Sequence, residues 1–310
     1  MELSVVTAVY NGENFIKDSI KSILKQTQPN FEYMIVNDGS TDETKNILNS
    51  ISDSRIKIIH LEQNQGAAKC LKQAVEMSEG SLIAIQDADD ISYPERLEKQ
   101  AAFLKNNLEY GLTGSYIECI YQEKRLQKRA QFTERLINNN RSQDFYGSSF
   151  CHGTFMFRKE LYKKIGGYSS RYEIAYDYDL LLRFASGGKV HKIPEKLYGY
   201  RLHSSSLSSL DIQKTNDESM EVSIRGIIEC AKQEHKLQNY LIVGTDKARQ
   251  YFKQKIEPKL QHQFSYAAPI LSESLHNSTI IILDYYGSFT FTKELDKKGL
   301  RYYKVWCAVH

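Results

Sequence analysis

Three carboxylates stand within four residues at Asp87-Ala88-Asp89-Asp90. Like charges that close repel, so the cluster is costly unless a cation neutralises it. Hard oxygen donors select Mg2+ or Mn2+, ions that can also bridge phosphate oxygens. A surface turn leading into a helix N-terminus is the ordinary home of such acids. Here the buried-looking run Ser81–Gln86 directly precedes them, which favours a site. A second acidic centre is Tyr176-Asp177-Tyr178-Asp179, followed by Leu180-Leu181-Leu182. In a helix starting there, Asp177 and Asp179 point away from each other, so one meets a cleft while the other caps or pairs. The leucines anchor the helix start in apolar surroundings, which can raise a carboxylate's pKa and suit it to take a proton from an alcohol. Plain N-terminal capping is the competing reading.

Smaller signals surround these two. Asp38 follows an apolar run and precedes Gly39, so its carboxylate could accept a hydrogen bond from a nucleobase imide or form an Asx-turn. Tyr10 could stack on a base or simply pack. Asn64-Gln65-Gly66 could present backbone N–H groups to phosphate, with one glycine as its support. His203 stands beside Arg201 and before the serine-rich stretch Ser204–Ser209. It could be structural, or it could close over a bound diphosphate or its metal.

The elements that must position these residues alternate in period. Leu3–Val9, Glu32–Val36, Arg55–His60 and Ser81–Gln86 read as buried strands. Between them lie helical patterns at Asn14–Gln26 and Ala67–Met77, and one opened by a capping box at Ser40-Thr41-Asp42-Glu43. Pro94 suits the first turn of a further helix carrying Leu97, Ala101 and Leu104. Strand-helix alternation predicts a mainly parallel sheet with helices on both sides. Ligands of such sheets gather at the carboxyl ends of the strands. The acids at Asp38 and Asp87–Asp90 and the aromatic Tyr10 all fall there.

Beyond residue 110 the strand-like runs shorten to Gly111–Tyr121, Thr154–Phe157, Val190–Ile193 and Leu197–Leu202. A basic stretch, Gln122–Arg141, with Lys124, Arg125, Lys128, Arg129 and Arg135, reads as a solvated helix or loop, or as a mobile segment near an anionic substrate. After the serine cluster, Glu218–Gln233, Tyr240–Val243, a helix from Asp246, Thr279–Leu283 and Tyr302–Val305 suggest a small α/β unit. The expected domains are therefore residues 1–209 and 210–310.

The 310 residues carry a formal charge of +3, too small to make nucleic acid the main partner. Five widely spaced cysteines without a C-x-x-C pair argue against a disulfide framework and a structural zinc site, and fit a reducing cytoplasm. The first ten residues lack a signal-peptide pattern. Apolar runs such as Leu82–Ile85 and Ile280–Leu283 are far below the roughly 18 residues of a membrane helix. A cytoplasmic location, with at most peripheral contact at the inner face of the membrane, is the expectation.

Taken in order, residues 1–209 resemble glycosyltransferase family 2, the inverting group with the GT-A fold. Val5-Val6-Thr7-Ala8-Val9-Tyr10-Asn11 resembles its opening strand and base-stacking tyrosine, and Asn37-Asp38-Gly39-Ser40-Thr41-Asp42 its base-contacting turn. Asp87-Ala88-Asp89-Asp90 followed by Pro94-Glu95-Arg96-Leu97 resembles its metal-binding D-x-D region, and Cys151-His152-Gly153-Thr154 its acceptor-side strand. Tyr176-Asp177 stands where the family has Glu-Asp, and Tyr200-Arg201-Leu202-His203 resembles a late segment whose histidine can complete the metal site. The resemblance implies an α/β GT-A nucleotide-binding sheet with a smaller C-terminal helical or α/β extension. It implies Asp177 as general base and Asp89 with His203 as ligands of Mn2+ or Mg2+. Ala8, Tyr10, Asn11, Glu13, Asp38, Asn64, Gly66, Asp87 and Ala88 are the implied donor contacts. The implied partners are a nucleotide-sugar donor, UDP-linked first, and a glycan or lipid-linked sugar acceptor, with no nucleic acid. Tyr176 departs from the pattern and bears on how Asp177 is tuned. Two rivals remain. A nucleotidyltransferase needs a glycine-rich basic loop after the first strand, and Ala8–Asn14 has one glycine and no Lys or Arg. A non-catalytic nucleotide-sugar sensor or scaffold would bind donor without turnover.

Overall fold

The computed structural model describes residues 2–121, 126–138, 150–203, 211–233, 239–268, 278–284, 295, 297 and 302–306. The chain divides into two compact units; of the described residues, those up to 203 fall in the first and those from 211 onward in the second. The serine cluster Ser204–Ser209, Lys124, Arg125 and Arg141 lie outside the described residues.

The first unit is built on an eight-stranded sheet. Its strands are β1 (Leu3–Val9), β2 (Glu32–Asn37), β3 (Ile56–His60), β4 (Leu82–Ile85), β5 (Ile91–Ser92), β6 (Tyr110–Ile120), β7 (Met156–Arg158) and β8 (Lys189–Arg201), in the order β3-β2-β1-β4-β7-β6-β8-β5. The first four are parallel, β6 runs parallel to β8, and β7 and β5 pair antiparallel with their neighbours. Helices α1 (Ile16–Leu24), α2 (Thr44–Asn49), α3 (Ala67–Met77) and α4 (Arg96–Asn106) cross between the strands. Ile16, Ile20 and Ile23 of α1, Leu48 of α2, and Leu97, Ala101 and Leu104 of α4 pack on Leu3, Val5, Tyr33, Ile35 and Ala84 of the sheet. Strand side chains alternate in direction, so Val6, Met34, Val36 and Ile83, equally buried, serve the opposite face, where α3 packs. Burial on both faces is why these strands read as unbroken apolar runs.

Three expectations change. The capping box does not form: α2 starts at Thr44, with Glu43 at its cap position and no side-chain cap. Val190–Ile193 and Leu197–Leu202 belong to one strand, β8. Its register against β6 jumps from Ser115–Ile193 to Tyr116–Lys196, leaving Pro194 and Glu195 in a bulge. Cys151–Thr154 is not strand; His152–Thr154 forms a single 3-10 turn before β7. In the basic stretch, α5 (Gln127–Ile137) exposes Lys128, Arg129 and Arg135, and its Glu134 accepts from Cys119 N–H at 2.8 Å. After β7 come α6 (Lys159–Lys164) and α7 (Tyr176–Gly187).

The second unit holds α8 (Ile212–Gln233), β9 (Tyr240–Val243), α9 (Asp246–Lys255), β10 (Phe264–Ala267), β11 (Thr279–Asp284) and β12 (Tyr302–Trp306). Its four strands are all parallel in the order β10-β9-β11-β12. Ile224, Ile227 and Ile228 of α8 and Phe252 of α9 pack against Ile242, Ile281 and Val305. Among the described residues, no helix is long and apolar enough to cross a membrane.

Candidate active site

The carboxyl ends of β2, β1 and β4 lie side by side, so their loops form one rim. The loops after β1 and β2 are stitched together. Asn11 N–H donates to Ser40 Oγ (2.9 Å), Thr41 N–H to Asn11 Oδ1 (2.9 Å), Gly12 N–H to Thr44 Oγ1 (2.8 Å) and Glu43 N–H to Glu13 Oε2 (3.0 Å). Ser40 and Thr41 therefore tie loops together instead of capping a helix. Tyr10, beyond Ala8 and Val9, stands 50% exposed on this rim, so it is not a packing residue.

Asp38 is buried, and its two oxygens accept from Gln65 N–H (2.7 Å) and Gly66 N–H (2.9 Å). Those two groups thus point at a carboxylate, and the phosphate cradle anticipated at Asn64-Gln65-Gly66 is not formed by them. Asn64 is exposed on the same loop. Gly39 has φ +67°, and a Cβ there would stand 2.7 Å from Gln63 C. Only glycine lets the two loops approach so closely.

Each carboxylate of the Asp87–Asp90 turn has a different environment. Asp89 is partly exposed and its Oδ2 lies 2.8 Å from His203 Nε2, which reaches it from the end of β8. Arg201 locks this meeting. Its Nε donates to Asp89 O (2.7 Å), its N–H donates to Asp90 Oδ1 (2.7 Å), and its guanidinium covers the Phe15 ring at 4.9 Å. Asp90 is only 1% exposed, and its Oδ2 makes no hydrogen bond of good geometry. Burial, with Asp89 and Asp87 adding, pushes its carboxyl well above the usual range, against the Arg201 N–H and the nearby Tyr198 hydroxyl. Beneath the turn Arg96 is fully buried, donating to Ser92 Oγ (2.7 Å), Gln100 Oε1 (3.0 Å) and Ile85 O (2.6 Å). Burial depresses its pKa while Tyr198 and Asp87 sustain its charge. It is a buried cation under an acidic rim.

Asp177 occupies the first turn of α7, over the buried Leu180 and Leu181. Asp179 turns away and pairs with Arg183 at 2.6 Å. Burial raises the Asp177 carboxyl above its ordinary range, Asp87 adds to the rise, and the positive charge of His152 opposes it. His152 Nδ1 in turn lies 3.2 Å from Asp87 Oδ1. Asp177 and the D-x-D turn therefore belong to one electrostatic cluster, although 90 positions separate Asp87 from Asp177 in the chain.

Two donor sets could hold a divalent ion. Asp89 Oδ2 and His203 Nε2, 2.8 Å apart, approach the roughly 3 Å between neighbouring ligands of an octahedral ion with bonds of about 2.1 Å. The second set, Asp87, Asp90 and Cys151, brings one ligand atom of each within 4.8 Å of the others. Its thiol is buried and pushed well up by burial and by Asp90 and Asp87. A protonated sulfur is a poor donor to a hard ion. The Asp89–His203 pair fits Mg2+ or Mn2+ better. Sequence reasoning did not single out His152, Arg96 or Tyr198 as site residues. His152 and Arg96 fall inside segments that carry the family resemblance, which was the local signal available, whereas the polar contacts that bring all three into the site span the fold.

The first unit is thus an α/β domain whose mostly parallel sheet ends in an acid-lined rim. Residues 4–166 match the family described as glycosyl transferase family 2. The chain is 34% identical over 213 residues to the O-antigen biosynthesis glycosyltransferase WbnJ of Escherichia coli, covering 66% of this chain and 81% of that one. It is similar in fold to TarS 1–349 of S. aureus in complex with UDP-GlcNAc, with TM-score 0.58, 20% identity and coverage of 74% of this chain and 67% of that one. It also resembles the mannosyltransferase PcManGT of Pyrobaculum calidifontis in complex with GDP-Man and Mn2+, with TM-score 0.55, 17% identity and coverage of 84% and 69%. The chain belongs to glycosyl transferase family 2.

Proposed function

We propose that this glycosyltransferase moves a hexosyl or N-acetylhexosaminyl group from a UDP-linked donor to a hydroxyl of a glycan or lipid-linked sugar, with inversion. The proposed transferase domain is residues 1–209, with residues 210–310 as an appended α/β unit. The observation that carries the reading is that Asp177, buried at the start of α7, lies within the electrostatic reach of Asp87 and of the His152 that Asp87 contacts. Asp89 and His203 would hold Mn2+ or Mg2+; such an ion, when bound, neutralises charge developing on a leaving nucleoside diphosphate. Tyr10 offers an exposed ring for a base, and Ala8, Asn11, Glu13, Asp38, Asn64, Gly66, Asp87 and Ala88 line or brace the donor rim. Asp177 takes the proton of the attacking hydroxyl from the face opposite the diphosphate. One carboxylate suffices because the leaving group requires charge neutralisation, whereas a glycosidase protonates its leaving group and needs two.

The E. coli relative named for O-antigen biosynthesis supports a role in bacterial surface polysaccharide assembly. Work on such acceptors would place the chain in the cytoplasm, at the inner face of the membrane, with peripheral contact. A thermal-shift screen of UDP-, GDP- and dTDP-sugars with Mn2+ tests the donor. A ligand that binds only the folded form raises the melting temperature, by about 2.7 kcal/mol of stability at 100 times its Kd. A shift with GDP-sugars and none with UDP-sugars would overturn the UDP assignment.

A further inference from the structure

Gln86 stands between the end of β4 and the D-x-D turn, and it is 1% exposed. Its backbone is pinned to β1: its N–H donates to Val6 O at 3.0 Å, and its carbonyl accepts from Thr7 Oγ1 at 2.7 Å. Its side chain turns onto the acids' own backbone. Nε2 donates to Asp87 O (3.0 Å), to Asp90 O (3.0 Å) and to Ser19 Oγ of α1 (2.9 Å). Ser19 Oγ itself donates to Asp87 O at 2.9 Å. The first and last carbonyls of the turn thus converge on one amide.

The opposite end of that amide is held as firmly. Oε1 accepts from Ser92 Oγ at 2.6 Å and from Arg96 Nη1 at 3.2 Å. A guanidinium only donates, so the oxygen faces Arg96 and the NH2 group faces the carbonyls. Arg96 is fixed in turn by Ile85 O and by Gln100, whose Nε2 donates to Thr154 O at 2.7 Å. Ser19, Gln86, Ser92, Arg96, Gln100 and Thr154 are all buried. A flipped Gln86 amide would set NH2 against a cation and oxygen against two carbonyls, so the network admits one arrangement. What it secures is the stretch between the gripped carbonyls. There Asp89 meets His203 at 2.8 Å, and Asp90 Oδ1 accepts from Arg201 N–H at 2.7 Å.

We propose that Gln86 is a positioning residue for the D-x-D turn: its amide clasps the carbonyls of Asp87 and Asp90, with Ser92 and Arg96 holding the amide in that orientation, so that Asp89 stands at His203. The inference rests on the metal role proposed for Asp89 and His203.

The first test needs neither metal nor turnover. Amide hydrogen exchange is followed by NMR in the metal-free full chain and in Gln86→Met, which keeps the side chain's length and removes its polar atoms. Relative to the amides of β2, those of Asp90 and Arg201 should exchange about tenfold faster or more in the variant, because two buried carbonyls lose a donor. The second test measures Mn2+ binding in the presence of UDP, read from the signal of free Mn2+ in electron paramagnetic resonance. Gln86→Met should weaken it about tenfold or more, as loss of a group that orients a ligand does. Ser92→Ala, which removes one brace of the amide, should shift both readouts the same way by less, and it carries both tests if Gln86→Met does not fold. Leu104→Ala takes packing from the core at the far end of α4 and controls for general destabilisation. It should leave both readouts within about twofold. A folded Gln86→Met protein with wild-type relative exchange at Asp90 and Arg201, or with wild-type Mn2+ affinity, overturns the proposal. So does Leu104→Ala shifting both readouts as far as Gln86→Met. A wild type that binds no Mn2+ with UDP, but whose Asp90 and Arg201 amides respond to Gln86→Met, supports the positioning role and counts against the metal reading of Asp89 and His203.

Discussion

Strands β1, β2 and β4 of the first unit and strands β9 and β11 of the second are the same kind of object. All are parallel, β-branched and buried, and helices cover them. At their carboxyl ends they diverge. The first rim carries Asp38, Asp87, Asp89 and Asp90, and the loops behind those acids are braced by hydrogen bonds. After β9 come Gly244 and Thr245, and Thr245 caps α9 by accepting from Ala248 N–H. Among the described residues, the group of three donors close enough to share a metal ion, Asp87, Asp90 and Cys151, is in the first unit. Apolar strands decide that a sheet forms, whereas its chemistry depends on which carboxylates the strand ends display and which other elements close over them. In the first unit those closing elements are α7, the 3-10 turn at His152 and the end of β8.

Substitutions at the two rims should therefore part company. The largest effect is expected at Asp177→Asn, which should lower turnover about 10²–10⁴-fold, the usual range for a lost general base. UDP binding, read by calorimetry with Mn2+, should stay nearly intact. Asp89→Asn comes next and should weaken Mn2+ binding at least about tenfold, followed by the metal titration of donor hydrolysis. In the second unit Leu283, buried in its core, gives a contrasting prediction. Leu283→Ala should cost about 2–5 kcal/mol in denaturant unfolding while donor hydrolysis per folded molecule is unchanged. Loss of hydrolysis there would mean that the second sheet takes part in the chemistry. Thr245→Ala is the mildest, about 1 kcal/mol through the lost cap.

Stability against pH separates the rims further. Burial raises the Asp177 pKa, so its stabilising contribution is complete below the ordinary carboxylate value of about 3.9 and fades as pH rises through the raised one. Asp177→Asn removes that ionisation. The inactive variant should melt higher than wild type at neutral pH, and the advantage should vanish in acid. Equal melting temperatures at neutral pH would show that Asp177 ionises without cost.

Much of this architecture is legible in the chain because its strands are buried on both faces and its helices keep a 3.6-residue period. Leu3–Val9, Ala67–Met77 and Tyr240–Val243 have the bounds their residue types suggest. The parallel sheet and its acid-bearing rim follow from that alternation. What escaped was non-local. Pro194 looks like a strand break, yet β8 absorbs it as a bulge because β6 continues to pair on both sides. Phe264–Ala267 is as short as Tyr240–Val243 but half-buried, with Ser265 interrupting its apolar residues, so it does not stand out as β10. Ser40 and Thr41 have the form of a helix cap, but Asn11, 29 and 30 positions away, competes for them and wins. His152 lies in a three-residue turn whose partners sit at Asp87 and Tyr168, so no periodicity points to it. Arg96 stands in the segment quoted for the family resemblance, but only the fold reveals it as a buried cation.

The most direct measurement is release of nucleoside diphosphate from UDP-, GDP- and dTDP-sugars with Mn2+, comparing the wild-type chain with Asp177→Asn. The account predicts release from one donor class by the wild type, and binding of that donor without release by the variant. Equal rates from the two proteins would remove Asp177 from the chemistry, and tight binding without release by the wild type would make the chain a sensor of nucleotide sugars.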